Sequence, residues 1–92
     1  MKALKWDLDQ SEMTVQLEEE SYALIKYQQN GDVLHINSTR IPDSLQGKGY
    51  GKVMMETMLT ELDKKGLSIV PVCSYVVHYM SRNPQWSHLL AE

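Results

Sequence analysis

The sequence predicts a mixed α/β fold: an antiparallel β-meander, a glycine-rich loop, an α-helix, a parallel strand and a second helix. Three observations carry this. The first half alternates apolar and polar residues with a period of two, as half-buried strands do. After Pro42 the period changes to about 3.6, the signature of an amphipathic helix. Between the two regimes stands "LQGKGYGKVMMETM", Leu45 to Met58, which holds three of the chain's five glycines.

Length and composition bound the rest. A chain of 92 residues is read as one domain spanning residues 1–92. At this size folding buries roughly 60–65% of the unfolded chain's surface. Hydrophobic residues make up 42% and charged residues 23%, as in an ordinary globular domain. No apolar stretch reaches the length of a membrane span. Lys5, Asp7 and Asp9 interrupt the N-terminal region where a secretory leader needs an apolar core. The expectation is a cytoplasmic protein with no membrane partner. Net charge is −3, which argues against nucleic acid, since phosphate-backbone binding needs a basic footprint. It leaves room for a small anion held locally. Cys73 is the single cysteine and His35, His78 and His88 have no metal spacing, so neither a disulfide nor a metal is expected.

The elements follow in order. The first ten residues form either an edge strand or a loose arm. "MTVQLE" puts Met13, Val15 and Leu17 on one face. "EEES" is a polar turn. "YALIKYQ" is a strand rich in β-formers, and "QNGD" carries Asn30-Gly31, a strong hairpin signal. "VLHINSTRI" returns with Leu34 and Ile36 on one face and Val33 and His35 on the other. Pro42 ends it. From Lys52, residues Met54, Met55, Met58, Leu59 and Leu62 line one side of a helix, closed by Lys64-Lys65-Gly66. "LSIVPVC" is a short buried strand, weakened or bulged by Pro71. A strand–helix–strand crossover places it parallel to the preceding strand. "SYVVHYMSRN" is a second helix, with Ser74 as candidate N-cap and Pro84 as its stop. The tail "QWSHLLAE" has no clear pattern.

The glycine loop is where chemistry enters. A helix N-terminus has unpaired N–H groups and the positive end of the helix dipole. Glycines before it let successive amides converge and remove the Cβ atoms that would hold a phosphate off. Lys48 and Lys52 stand beside it. The spacing is not that of a P-loop, since Gly47 and Gly51 are too close and Val53 follows Lys52. A dinucleotide fingerprint needs its third glycine one residue later, and the KH loop needs flanking helices. Gln46-x-x-Gly49-x-Gly51 does fit the [QR]-x-x-G-x-[GA] pyrophosphate loop, and here the chain resembles the GNAT acetyltransferase superfamily. The string from Arg40 to Trp86 is similar to the small single-domain YjdJ-like (NATD-type) branch. Pro71-Val72-Cys73-Ser74 and Arg82-Asn83-Pro84-Gln85-Trp86 stand where that branch has a P-L-C-P-like turn and an R-H-P-aromatic-like segment. Ser38, Ser74 and Asn83 differ from its usual histidine, proline and histidine.

The resemblance implies a minimal GNAT-like fold, acetyl-CoA as co-substrate without a metal, and direct acetyl transfer to an amine. By position, Ile41 and Pro42 would flank the pantetheine arm. Gln46, Gly47, Lys48, Gly49, Tyr50, Gly51 and Lys52 would hold the pyrophosphate, and Arg82 would meet the 3′-phosphate. Cys73 would lie near the thioester, either accepting the acetyl group or ordering the site; the plainer reading is a small buried side chain. Tyr79 would protonate the leaving thiolate, with Tyr75 as its competitor and aromatic packing as the plainer reading. The chain lacks the helices that usually build an acceptor pocket. The acceptor is then a protein or peptide amine at an open site, or a homodimer or other partner completes the site. Two rival functions stand beside this one: a CoA-binding module or sensor without turnover, and a protein-interaction domain with no nucleotide ligand.

Overall fold

The computed structural model describes residues 3–91. Its strands are β1 (Leu4–Asp7), β2 (Glu12–Glu18), β3 (Ser21–Asn30), β4 (Val33–Arg40) and β5 (Ser68–Pro71). Its helices are α1 (Tyr50–Lys64) and α2 (Ser74–Arg82), with 3-10 helices at Asp43–Leu45 and Pro84–Leu89. The strands lie side by side in chain order in one sheet. The first four pair antiparallel, and β4 pairs β5 in parallel, so the expected mixed α/β architecture is the one found. Of the first ten residues, Leu4–Asp7 form an edge strand.

Alternation decides which face of the sheet is covered. Met13, Val15 and Leu17 on β2, Ala23, Ile25 and Tyr27 on β3, and Leu34 and Ile36 on β4 are all buried. Against them α1 turns Met54, Met55, Met58, Leu59 and Leu62, each almost without solvent contact. α1 lies along β1 and β2, while α2 packs on β4 and β5. A Schellman motif closes α1. The Gly66 N–H donates to Asp63 O, the Leu67 N–H donates to Leu62 O, and Gly66 takes φ +70°.

Four local readings change. The two-residue hairpin loop is Gly31-Asp32, because Asn30 still pairs with Val33. Gly31 alone there has positive φ, +60°, which suits a II′ turn opened by glycine. Pro71 does not bulge β5 but ends it. Ser74 is the first helical residue of α2, and Cys73 takes the N-cap place. The tail forms the second 3-10 helix, after which Leu90 bridges Ile69 and covers part of the outer side of β5.

Candidate active site

The site lies where the two parallel strands part. β5 pairs with β4 only from Val33↔Ser68 to Ile36↔Pro71. The N–H groups of Val72 and Cys73 both turn onto Ile36 O, at 3.1 and 2.9 Å, and the chain then leaves into α2. β4 continues to Arg40, so Asn37 to Arg40 run on without a β5 partner. On its other side β4 carries a bulge. Lys26 pairs with Ser38 and Tyr27 with Ile36, which leaves Asn37 as the extra residue. Bulges bend a strand and re-aim its groups, and they are common beside active sites.

The loop that follows is built to expose amides. Leu45 is buried and anchors it to the core. The Gln46 side-chain amide donates to Ile41 O at 3.1 Å and to Asp43 Oδ1 at 3.3 Å, strapping the loop to the end of β4. Gly47 and Gly49 have φ of +80° and +83°, left-handed values that side chains resist. A Cβ built on either would meet nothing within 4 Å, so the need for glycine there is conformational. Gly49 is the N-cap of α1. No side chain caps that end, and no acidic residue stands in the first turn. The orphan N–H groups of the helix therefore face the loop's concavity. Tyr50, the first helical residue, is fixed by a 2.6 Å hydrogen bond to Glu18 Oε2, which also raises the pKa of its hydroxyl.

A cleft of about 590 Å³ follows this path. Thr39 and Ile41 form its strand wall, and Gln46, Gly47, Gly49, Tyr50, Gly51 and Lys52 its loop wall, with Leu45, Met54 and Tyr75 completing it. Most of the residues expected at a pyrophosphate therefore do come together. Pro42 and Lys48 do not line the cleft; Pro42 caps the first 3-10 helix and Lys48 projects into solvent. Arg82 is exposed in the last turn of α2, about 10 Å along the helix from Tyr75 at 1.5 Å per residue.

Tyr75, not Tyr79, reaches the cleft. Its hydroxyl stands so close to Gly51 that a Cβ there would collide with it. Any side chain at Gly51 would require the tip of the Tyr75 ring to move. Burial raises the pKa of Tyr75, so it is a neutral phenol able to donate a proton. Tyr79, one turn on, is only 9% exposed and belongs to the core. Its pKa is raised by burial and by the negative charge of Glu56. The Trp86 indole lies near enough to favour the phenolate slightly. Yet among the described residues neither Tyr79 Oη nor Trp86 Nε1 has a hydrogen-bond partner.

Cys73 closes the strand end of the site. Its Sγ lies 3.5 Å from Thr39 Oγ1 across the fork. Burial opposes the thiolate, but the Thr39 hydroxyl and the N–H groups of Val76, Tyr75 and Thr39 outweigh it, so the thiol pKa is lowered. This is the effect of a helix N-terminus on a cysteine at its cap. Thr39 is the member of the site that residue chemistry alone passed over. Plain alternation sets it on the face of Val33 and His35; only the bulge at Asn37 brings it opposite Ile25, on the inward face.

A sheet forked at its parallel pair, with an uncapped and glycine-opened helix at the fork, defines a GNAT-type α/β domain. The chain belongs to the GCN5-related N-acetyltransferase family, whose pattern matches residues 10–89. Its backbone is also similar to the NMR solution structure of a GCN5-like protein from Staphylococcus aureus. The TM-score is 0.71 at 20% identity, over 97% of this chain and 87% of that one. At that identity the likeness speaks for the fold.

Proposed function

We propose that this chain binds acetyl-CoA in the cleft and transfers the acetyl group directly to an amine. The observation that carries the reading is the adjacency of two things: an uncapped helix N-terminus opened by left-handed glycines, and the unpaired end of β4. The first suits a pyrophosphate. The second suits an amide-bearing arm, which can hydrogen-bond to a free strand edge as a peptide does. The loop amides with Lys52 would hold the pyrophosphate, Lys48 would add long-range attraction, and Ile41 and Pro42 would flank the arm. The resemblance in the Pro71–Ser74 and Arg82–Trp86 segments supports membership of the YjdJ-like (NATD-type) branch. A cytoplasmic setting suits both the co-substrate and a free thiol.

Acetyl transfer needs a polarised thioester carbonyl and a protonated leaving thiolate. Backbone N–H groups at the bulged end of β4 are fixed donors for the carbonyl oxygen. The Tyr75 hydroxyl, neutral and standing in the cleft, is the proton source for the leaving sulfur. Tyr79, buried one turn further on and outside the cleft lining, is the alternative donor in this reading. Cys73, facing Thr39, either orders the reacting end or accepts the acetyl group as thiolate. The acceptor would be a protein or peptide amine, met at an open site or at one that a partner completes.

The test is calorimetric titration with CoA, followed by transfer from labelled acetyl-CoA to a panel of amines and to the protein itself. Binding and transfer are expected. Tyr75→Phe should slow transfer on the order of 10²-fold, the size of a general-acid contribution, while Tyr79→Phe leaves it within a few-fold. Binding with no transfer and no acetylated Cys73 would make the chain a CoA-binding module. No heat at millimolar CoA would overturn both readings and leave an interaction domain.

A further inference from the structure

At one margin of the sheet, Leu90 bridges β5 and the Ala91 N–H donates to Ile69 O at 2.8 Å. At the other margin, β1 has no neighbour on its outer side among the described residues. The ladder says which groups face outward. The Gln16 N–H donates to Ala3 O at 2.9 Å, so these residues form a hydrogen-bonded pair. In an antiparallel ladder such pairs alternate with non-bonded ones. The register Leu4↔Val15, Lys5↔Thr14, Trp6↔Met13, Asp7↔Glu12 therefore turns the N–H and C=O of Lys5 and Asp7 toward β2, and those of Leu4 and Trp6 outward.

We infer that this edge pairs with the same edge of a second copy, antiparallel and twofold-symmetric about Trp6. In that register Trp6 faces Trp6 of the second copy as a hydrogen-bonded pair that uses its outward groups, and Leu4 falls opposite Leu8, the first residue of the turn that follows. Lys5 then stands opposite Asp7 of the second copy in a non-bonded pair, where side chains approach most closely. A twofold at Lys5 would set two lysines face to face, and one at Asp7 two aspartates; like charges directly opposite are destabilising. Charge thus favours a second copy as the occupant and, of the twofolds at Lys5, Trp6 and Asp7, the one at Trp6. A short edge strand carrying a lysine ordinarily resists pairing. Here the lysine is answered, at the right place, by the strand's own aspartate.

Leu8 supports the same arrangement. It follows β1 directly, opening the turn closed by the Ser11 N–H donating to Leu8 O at 3.4 Å, and is 72% exposed. Clefts of about 490 and 390 Å³ lie on the two sides of Trp6 and Leu8. Pairing covers Leu8 with Leu4 of the second copy and joins two sheets into one. Because the contact is isologous, it closes at two copies and does not propagate.

Sedimentation velocity on the whole chain, over a concentration series reaching millimolar, tests this. The mass should rise from 10.6 kDa toward twice that value. Lys5→Asp and Asp7→Lys should each abolish the rise. The double swap should restore it, and mixing the two single variants should give a heterodimer, which a loss of monomer folding could not produce. Should either single variant fail to fold by circular dichroism, Leu8→Asp at its exposed position should give the same loss of dimer. A wild-type chain that stays monomeric throughout, or a dimer indifferent to these changes, overturns the proposal.

Discussion

At Cys73 a single side chain shows how position sets chemistry. A thiol on a strand face, half-buried, would have its pKa raised. This one sits at the N-cap of α2 and faces Thr39 Oγ1 at 3.5 Å, and the hydrogen bonds to the thiolate win over burial. The thiolate therefore forms at lower pH than in a free cysteine, whose pKa is about 8.5. The rate of alkylation of Cys73 against pH should inflect below that of a cysteine peptide measured alongside. Thr39→Val keeps the shape and removes the hydroxyl that favours the thiolate, so it should move the inflection upward. An inflection at or above the peptide's, or one that Thr39→Val leaves in place, would contradict this account. The sequence marked Cys73 as near the site but could not supply Thr39, because a contact between residues 34 apart in the chain is made only by the fork of β4 and β5.

At the scale of elements, what was legible is what depends on near neighbours. The alternation of β2 to β4 and the apolar stripe of α1 follow from periodicity alone, and Met54 to Leu62 fall on the face the spacing named. What was not legible depends on pairing or docking. Asn30 was drawn into the β3–β4 ladder, so the hairpin turned on Gly31-Asp32 instead. The cap of α2 moved to Cys73 because its N–H is tied to Ile36 O. Tyr75, in the first turn of α2, reaches the cleft beside Gly51 in the first turn of α1, while Tyr79 one turn on is buried in the core. The loop before α1 separates fold from function. Gly49→Val forces a β-branched residue to φ +83°, a strain of about 1–3 kcal/mol, but its Cβ meets nothing within 4 Å. The variant should stay folded by circular dichroism with a lowered melting temperature, and calorimetry should find CoA binding lost. Binding at wild-type strength would show that the anion site is elsewhere.

For the whole molecule, the cleft's location has a thermodynamic consequence. β4, the glycine loop, α1 and α2 meet there, yet the parallel pairing that holds this half together runs only from Val33 to Ile36 on β4. A ligand lying along β4 and on the loop, beneath Tyr75, touches each of these elements and requires all of them in place. It therefore binds the folded chain and not the unfolded one. At a hundredfold excess over Kd such linkage adds about 2.7 kcal/mol of stability. A domain of this length shifts by roughly 4–8 °C per kcal/mol, so saturating CoA should raise Tm by about 10–20 °C. Gly49→Val should melt at the same temperature with and without CoA, which separates binding at the loop from any general effect of the ligand. Pantetheine lacks the pyrophosphate and should move wild-type Tm much less at equal concentration. If CoA left wild-type Tm unchanged while calorimetry reported saturation, the ligand would be binding without engaging the fork. The loop and β4 would then no longer be parts of one site.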